Sequence, residues 1–403
     1  MRNRRILYVQ YTNPAAYPPL EHSSAILADA GWAIVFVGTG AFGASALRFA
    51  SRSSVRVVSR PFVTPGWRQK LDYLRFAARV VGHAVTWRPR WVYASDVLSA
   101  PIALLLRFLP GTRIVYHEHD APDTTGRGWG HLVSRWARRQ VARRSIACVV
   151  PNDARAELLE KETGLAGVRR VWNCPLVSEV GSARGPVAPG DDLWLLYHGS
   201  IVPSRLPEAV VHALARLPER VKLRVVGYET VGHAGYLNRL LTIARRLKVD
   251  GRIHAIGPVP TRAELLRWCG RSDVGLAFMP ADAQDVNERH MLGASNKPFD
   301  YLSQGLPLLV STAHDWVRTF VDSGFALACD PMDPAAIAGA VDRYLADLRA
   351  MRRMGERGRQ QILATWNYET QFAGVLGLLN GDPSRGGEAG HVSVGSLGAS
   401  CSR

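Results

Sequence analysis

The chain has 403 residues, of which 47% are hydrophobic and 21% charged, with 50 Lys or Arg against 34 Asp or Glu and a formal charge of +16. That length suits two domains of ordinary size, and that balance excludes a disordered chain. Its longest apolar run, 101–109, is interrupted by Arg107 and closed by Pro110, well short of the roughly 18 residues that a bilayer span needs.

The opening stretch has the basic start of a secretion signal, but its apolar run is short and no cleavage site follows, so a first strand is predicted over Arg5–Gln10. Further strands are predicted at Ala33–Val37, Val55–Val58, Trp91–Tyr93, Ile114–His117 and Ile146–Val150. Helices are predicted between them at Leu20–Ala30, Trp67–Thr86 and His131–Arg144. Residues 178–192, with three glycines and two prolines, read as a linker. A second α/β series follows: strand Trp194–His198, helix Pro207–Arg216, strand Leu223–Val226, helix Ala234–Leu247, strand Arg252–Ile256 and a helix near Arg262–Cys269. It ends with strand Val274–Phe278, helix Pro298–Ser303, strand Pro307–Val310 and helix Pro334–Arg353. The order predicts two Rossmann-like α/β domains, at 1–177 and 193–365. Residues 381–403, rich in Gly and Ser, are expected to be a disordered tail.

The charge is uneven. Residues 1–150 carry 21 basic against 7 acidic side chains, 151–190 carry 5 against 5, and 191–403 carry 24 against 22. An excess confined to one domain points to an anionic partner there: nucleic acid, a membrane surface or a phosphate-bearing substrate. In His131–Arg144, Arg135, Arg139 and Arg143 recur at i, i+4 with Arg138 alongside, and Leu132, Val133, Trp136 and Val141 form the face expected toward the core. Trp67–Thr86 carries Arg68, Arg75 and Arg79 beside Trp67, Tyr73 and Phe76. A solvated face over a core stripe is the plain reading of both helices. Against the local excess, Arg75, Arg79, Arg135 and Arg139 also suit an anionic acceptor or peripheral contact with an anionic membrane. No helix-turn-helix or interleaved aromatic–basic array accompanies them, so nucleic acid is not expected. The five cysteines are far apart and include no C-x-x-C. This suggests neither a disulfide framework nor a zinc site, and makes a reducing cytoplasm the default.

Four stretches bear on chemistry. Gly38, Gly40 and Gly43 spell GxGxxG after a strand. That strand is the second of its domain and no acid lies about 20 residues on, so a flexible turn is favoured over a dinucleotide site, with Arg60 the remaining candidate for a 2′-phosphate. His117-Glu118-His119-Asp120 closes a strand at the end where parallel sheets bind ligands, with both histidines on one face. A metal is conceivable there, but no helical ligand pair accompanies it. Gly199, directly after a strand, allows close approach of a phosphate to the backbone, the following helix start favours negative charge, and Arg205 lies where it could clamp a diphosphate. In 295–311, Ser295 or Asn296 can cap a helix, with Pro298 in its first turn and Gly305 at its end. Lys297 would hold a phosphate and Asp300 would accept from a ribose diol.

Asn-Lys-Pro-Phe-Asp-Tyr-Leu from Asn296 and Gly305-Leu-Pro307 together resemble the N-K-x-F-E-Y…G-x-P element of GT-B glycosyltransferases, the family 4 group in particular. Tyr197-His-Gly199…Arg205 resembles that family's Y-x-G…R/K element. Val225-Val226-Gly227, Ile256-Gly257-Pro-Val, Ser272-Asp273-Val274 and Val115-Tyr-His-Glu-His119-Asp agree with it as well. The likeness spans roughly 1–380 and is strongest in the second domain. It implies two domains facing across a cleft, with an acceptor in the first and a nucleotide-diphosphate-sugar donor in the second, retention of configuration, and no metal or other cofactor. It also implies that 366–380 packs back on the first domain. By the same likeness, Gly199, Arg205 and Lys297 face the diphosphate, Ser200 and Asn296 belong with them to the donor site, and Asp300 replaces a ribose-binding glutamate. Backbone at Gly257 and Val259 meets the base, and His119 stands at the reaction centre. Lipid-linked or polymeric acceptors at the cytoplasmic leaflet fit the basic first domain.

The sequence departs from the pattern. Leu292 stands where an E-x7-E pair would begin, leaving Asp285 or Glu288 as candidate sugar contacts; Ser200 replaces a second basic residue and Leu206 a glycine. No D-x-D triplet occurs, which disfavours the metal-dependent GT-A alternative and leaves Arg205, Lys297 and helix starts to stabilise the leaving diphosphate. A nucleotide-sugar 2-epimerase on the same fold and a non-catalytic nucleotide or anion binder are the competing readings.

Overall fold

The computed structural model describes residues 4–122, 128–188, 190–280, 283 and 285–381; the predicted tail beyond 381 lies outside them. The first domain runs β1 (Arg5–Val9), α1 (Pro18–Asp29), β2 (Ala33–Thr39), β3 (Val55–Arg60), α2 (Trp67–Trp87), β4 (Trp91–Ser95), α3 (Ala100–Leu106) and β5 (Arg113–His117). It continues with α4 (Trp129–Ala142), β6 (Ala147–Val150), α5 (Asp153–Thr163) and β7 (Arg169–Arg170). The second begins β8 (Leu193–Ile201), α6 (Ala209–Leu214), β9 (Val221–Glu229), α7 (Tyr236–Arg246), β10 (Ile253–Gly257), α8 (Arg262–Gly270) and β11 (Val274–Ala277). Then come α9 (Val286–Arg289), α10 (Lys297–Ser303), β12 (Leu308–Ser311), α11 (His314–Trp316), β13 (Ala326–Cys329), α12 (Pro334–Ala346), α13 (Leu348–Ala364) and α14 (Tyr368–Asn380).

Every strand pairing is parallel. The two sheets have the orders β3-β2-β1-β4-β5-β6-β7 and β10-β9-β8-β11-β12-β13. In each, the order reverses beside the first strand, so crevices open at the carboxyl ends of β1 and β4 and of β8 and β11. The central strands are apolar on both faces because helices cover both. One face of the first sheet packs Leu7, Val92, Ile114 and Tyr116 against Phe76 and Val80 of α2, Ile102 of α3 and Val141 of α4. The other packs Tyr8, Phe36 and Tyr93 against α1 and against Tyr368, Phe372 and Val375 of α14, so the last helix sits in the first domain's core.

One predicted helix is split for a local reason. The single helix predicted over Pro334–Arg353 is two, because Asp347 leaves helical dihedrals (φ −141°, ψ 84°) and its carboxylate caps Ala350 of α13. The apolar run 101–109 is α3 and its exit rather than an unassigned segment. The four cysteines among the described residues, Cys148, Cys174, Cys269 and Cys329, are free and buried. No described helix is long and apolar enough to cross a membrane.

Candidate active site

A cavity of about 370 Å³ opens where the carboxyl ends of the two sheets face each other, within the size range of small-molecule sites. From the first domain it is lined by the loop after β1 (Thr12, Ala15–Pro19), by Ala41, Phe42, Ala44, Leu47 and Arg48, and by His119. From the second it is lined by Gly199, Ser200, Arg205, Tyr228, Val259, Arg262, Asn296, Lys297 and Asp300. Gly257 is not in the wall; its φ of +80° turns the chain so that Pro258 and Val259 are.

Gly199 and Lys297 meet here. Gly199 has φ +100°, in the region that favours glycine, and a Cβ there would lie 3.3 Å from Lys297 Nζ. Lys297 is buried and its Nζ lies 5.3 Å from the centroid of the Tyr197 ring. Burial and the nearby Arg205 push its pKa down to about 7, with Asp300 opposing. Neither Arg205 nor Lys297 makes an ion pair among the described residues, and Arg205 Nε is buried without a partner. A cationic pair facing a glycine backbone suits a polyanion. The helix expected from Pro207 begins only at Ala209 and is a turn and a half long, so the cations carry the positive field here.

The Gly199 loop is held close by its neighbour. Gly199 pairs with Gly227 across β8 and β9, and a Cβ at Gly227 would fall 1.9 Å from Gly199 O. Gly227→Ala is therefore expected to cost roughly 2 kcal/mol or more, read by urea denaturation, and to displace the loop; an unchanged midpoint would refute this packing.

Asp300 differs from its expected role. It is fully buried and both oxygens accept from Arg262, Nη2 to Oδ1 at 2.5 Å and Nη1 to Oδ2 at 3.3 Å. His198 Nε2 lies 3.4 Å from Oδ2. Arg262 Nε donates to Glu179 at 2.6 Å, and Glu179 Oε2 lies 3.0 Å from His22 Nε2 of α1. A buried chain thus runs from the first domain through the linker to the cavity wall. Burial works against the Arg262 cation, but Asp300 and Glu179 more than offset it and hold its pKa above the ordinary value. Burial also opposes ionisation of Glu179, yet Arg262 and then His22 hold that carboxyl well below the usual range. The carboxylate expected to stand ready for a ribose is therefore already engaged, and Arg262, which the sequence did not single out, shares the wall with it. Its signal was its place at the start of α8, just after the Gly257–Val259 turn.

His119 is buried and packs on His117 (ring centroids 3.9 Å apart) and Tyr17 (5.1 Å). Desolvation first, then Arg155, pushes its pKa down to about 3, so the ring is neutral at physiological pH. Neither ring nitrogen has a hydrogen-bond partner among the described residues. Its backbone is fixed: Asp96 Oδ1 accepts from His119 N at 2.8 Å, Asp96 Oδ2 accepts from Gln10 at 2.9 Å, and Arg155 donates to His119 O. Asp96, at the carboxyl end of β4, has φ +62°, a strained conformation for a non-glycine residue. Burial and Asp120 raise its pKa to about 7. Only its position at a strand end beside the crevice marked it in the sequence.

The candidate sugar contacts lie outside the wall. Asp285 caps α9, accepting from Asn287 N at 2.7 Å, and Glu288 accepts from Ser204 Oγ at 3.1 Å. The segment they belong to is gripped by the first domain, with Asn287 and Ala121 exchanging two hydrogen bonds and Asn152 donating to His290 O and Leu292 O. The GxGxxG glycines serve close approach: Gly43, φ +69°, abuts Glu229 O and the Tyr228 ring of the second domain. Arg60, the 2′-phosphate candidate, pairs with Asp72. Asp273 receives Arg352 at 2.6 Å and Trp194 N at 2.8 Å, a bracing role. Among the described residues no cluster of three His, Cys, Asp or Glu is placed to hold a metal. Arg75, Arg79 and Arg139 are exposed away from the cavity and Arg135 is half-buried. Arg138 is buried between Glu118 and Glu162.

Comparison with known proteins agrees with this geometry. Residues 20–174 match the glycosyl transferase 4-like domain and residues 205–377 the glycosyl transferase-like domain. Glycogen synthase of Mycobacterium tuberculosis is 24% identical over 301 residues, 71% of this chain and 67% of that protein. Sucrose-phosphate synthase from Thermosynechococcus elongatus superposes with a TM-score of 0.68 at 15% identity, over 94% of this chain and 99% of that one. Anabaena HepE in complex with UDP superposes with a TM-score of 0.64 at 14% identity, over 94% and 100%. With two parallel α/β domains, a cleft between their carboxyl ends and a family domain matched on each side of it, the chain belongs to the GT-B glycosyltransferases of the family 4 group.

Proposed function

We propose that the enzyme transfers a sugar from a nucleotide-diphosphate donor, bound to the second domain, to an anionic or lipid-linked acceptor held by the first, with retention and without a metal, on the cytoplasmic side of the membrane. The observation that carries this is the pairing of Arg205 and Lys297 against the Gly199 backbone. As the glycosidic bond to the diphosphate breaks, negative charge grows on the leaving oxygen, and two fixed cations in a partly desolvated cleft stabilise it more than they stabilise the intact donor. Neutral His119 offers one nitrogen that donates and one that accepts, suited to hydrogen-bonding sugar hydroxyls rather than to strong base chemistry. Retention and the acceptor class rest on the family resemblance and on the basic first domain.

The test is incubation with UDP-, GDP-, ADP- and dTDP-sugars, following release of the nucleotide and, by NMR, the anomer formed. Release from one donor with the anomer retained supports the reading. Interconversion of the free donor sugar without release would indicate the epimerase, and donor-independent salt-sensitive anion binding a non-catalytic protein.

Lys297 adds a pH signature. With a pKa of about 7 in the free protein, it is close to half neutral at pH 7. A diphosphate favours the charged form and raises that pKa, so binding takes up a proton above pH 7. Affinity should fall by up to roughly tenfold per pH unit as pH rises from 7 until the bound pKa is reached. Calorimetry in buffers of different ionisation enthalpy measures the uptake; none at pH 8 would contradict a diphosphate at Lys297.

A further inference from the structure

Three adjacent helices of the first domain are apolar on two opposite faces. In α2, Asp72, Phe76, Val80 and Ala84 face the core. Trp67, Leu71, Leu74 and Val85 fall at i, i+4, i+7 and i+18, close to one line on the far side at 3.6 residues per turn. Trp67 is 68% exposed and Leu74 63%. In α4, Ala137, Arg138 and Val141 are buried, while Trp129, Leu132, Val133 and Trp136 at i, i+3, i+4 and i+7 face outward, Trp129 at 85% exposure. The expected core face of Leu132, Val133, Trp136 and Val141 is therefore split: Val141 is buried as expected, but the buried Glu118 draws Arg138 inward beside it, with Nε to Oε2 at 2.5 Å, and Leu132, Val133 and Trp136 turn out. Between them, α3 exposes Leu105, and Phe108 just beyond it is 76% exposed. α3 packs against both neighbours, so the exposed residues form one surface. Isolated exposed apolar side chains are ordinary; a surface of this extent over three helices marks an interaction site.

We propose that this surface docks on an anionic phospholipid bilayer, its tryptophans and leucines entering the headgroup boundary while Arg68, Arg75, Arg79 and Arg139 flank them at phosphate level. The proposal deepens, and rests on, the reading of the acceptor as lipid-borne. Charge selects the occupant. The only acid in these three helices, Asp72, is buried against Arg60, so the outer face is positive throughout. A second copy pairing through the same patch would set arginines against arginines. Tryptophan suits a membrane–water boundary, where its ring is buried and its N–H stays wet, and basic side chains add electrostatic attraction to anionic lipid. The surface also lies beside the acceptor half of the cleft. Gln69 and Asp72 of α2, with Leu98, line a second cavity of about 450 Å³ that shares Thr12, Ala41 and Phe42 with the first. Leu98 is itself exposed, so a lipid-borne acceptor reaches the cleft along α2.

The full chain is sedimented with vesicles of phosphatidylcholine alone or with about 30% phosphatidylglycerol, beside the triple variant Trp67→Ser, Leu74→Ser, Trp136→Ser. Brominated acyl chains report tryptophan entry by quenching. The wild type should bind anionic vesicles at least roughly tenfold better than neutral ones and be quenched. The variant should lose both properties while still hydrolysing the nucleotide sugar in solution. A wild type that stays in the supernatant, a variant that binds as well as wild type, or a dimer that the variant dissolves would each overturn the docking surface. Vesicle binding without donor hydrolysis would leave the surface standing and refute the proposed reaction instead.

Discussion

Lys297→Ala is expected to lower donor turnover by two to three orders of magnitude, roughly 3–4 kcal/mol of transition-state stabilisation, with little loss of fold stability. The two halves of this expectation have different causes. Lys297 is buried beside Gly199 and Tyr197, where a charge is costly, as its pKa of about 7 records. Removing it relieves that cost in the free protein, so the melting temperature should hold or rise. In the reacting complex the same ammonium faces a diphosphate that gains charge as the sugar departs, and no described residue can replace it there. Arg205→Ala should show the same pattern, since its guanidinium lines the cavity without an ion pair among the described residues. Because both act on one leaving group, the double variant should lose less than the product of the single losses. Turnover near wild type in both single variants, with folding intact by circular dichroism, would remove the assigned diphosphate site.

Arg262→Ala should do the opposite to stability. It leaves Asp300 fully buried without its cation and takes from Glu179 the bond at 2.6 Å. Breaking a buried pair from one side costs roughly 3–5 kcal/mol, because the uncompensated charge remains. Replacing both partners together, Arg262→Met with Asp300→Leu, removes both charges and should recover much of that loss. Urea denaturation of the three variants distinguishes the cases. If Arg262→Ala is as stable as wild type, the chain from His22 to Asp300 is not a structural tie. The double variant should fold yet bind donor poorly, which separates the stability of this wall from its use.

How legible this was in the sequence depended on whether a signal was local. Gly199, Arg205 and Lys297 stood at strand ends and a helix start, where backbone geometry and ligand position are linked, and the structure brings them together. The parallel α/β build of both domains followed from strands alternating with helices. What escaped were pairings between distant elements: nothing within the sequence around Arg262 shows that Asp300 and Glu179 will meet it. Periodicity put Leu132, Val133 and Trp136 on one face of α4 but wrongly grouped Val141 with them, and it did not show which face turns inward, because that was decided by Glu118 of the β5 exit drawing Arg138 into the core. In α2 both faces are apolar, and a period of 3.6 cannot rank them. The strained Asp96 was equally hidden, since φ is set by the turn and not by the residue.

The diphosphate site at Lys297 is tested most directly by calorimetric titration of UDP-glucose, GDP-mannose, ADP-glucose and dTDP-glucose into the wild type and into Lys297→Ala at pH 8. Saturable binding of at least one donor by the wild type with uptake of a proton is expected, with loss of both the uptake and most of the affinity in the variant. No binding of any donor, or equal binding by both proteins, would contradict it.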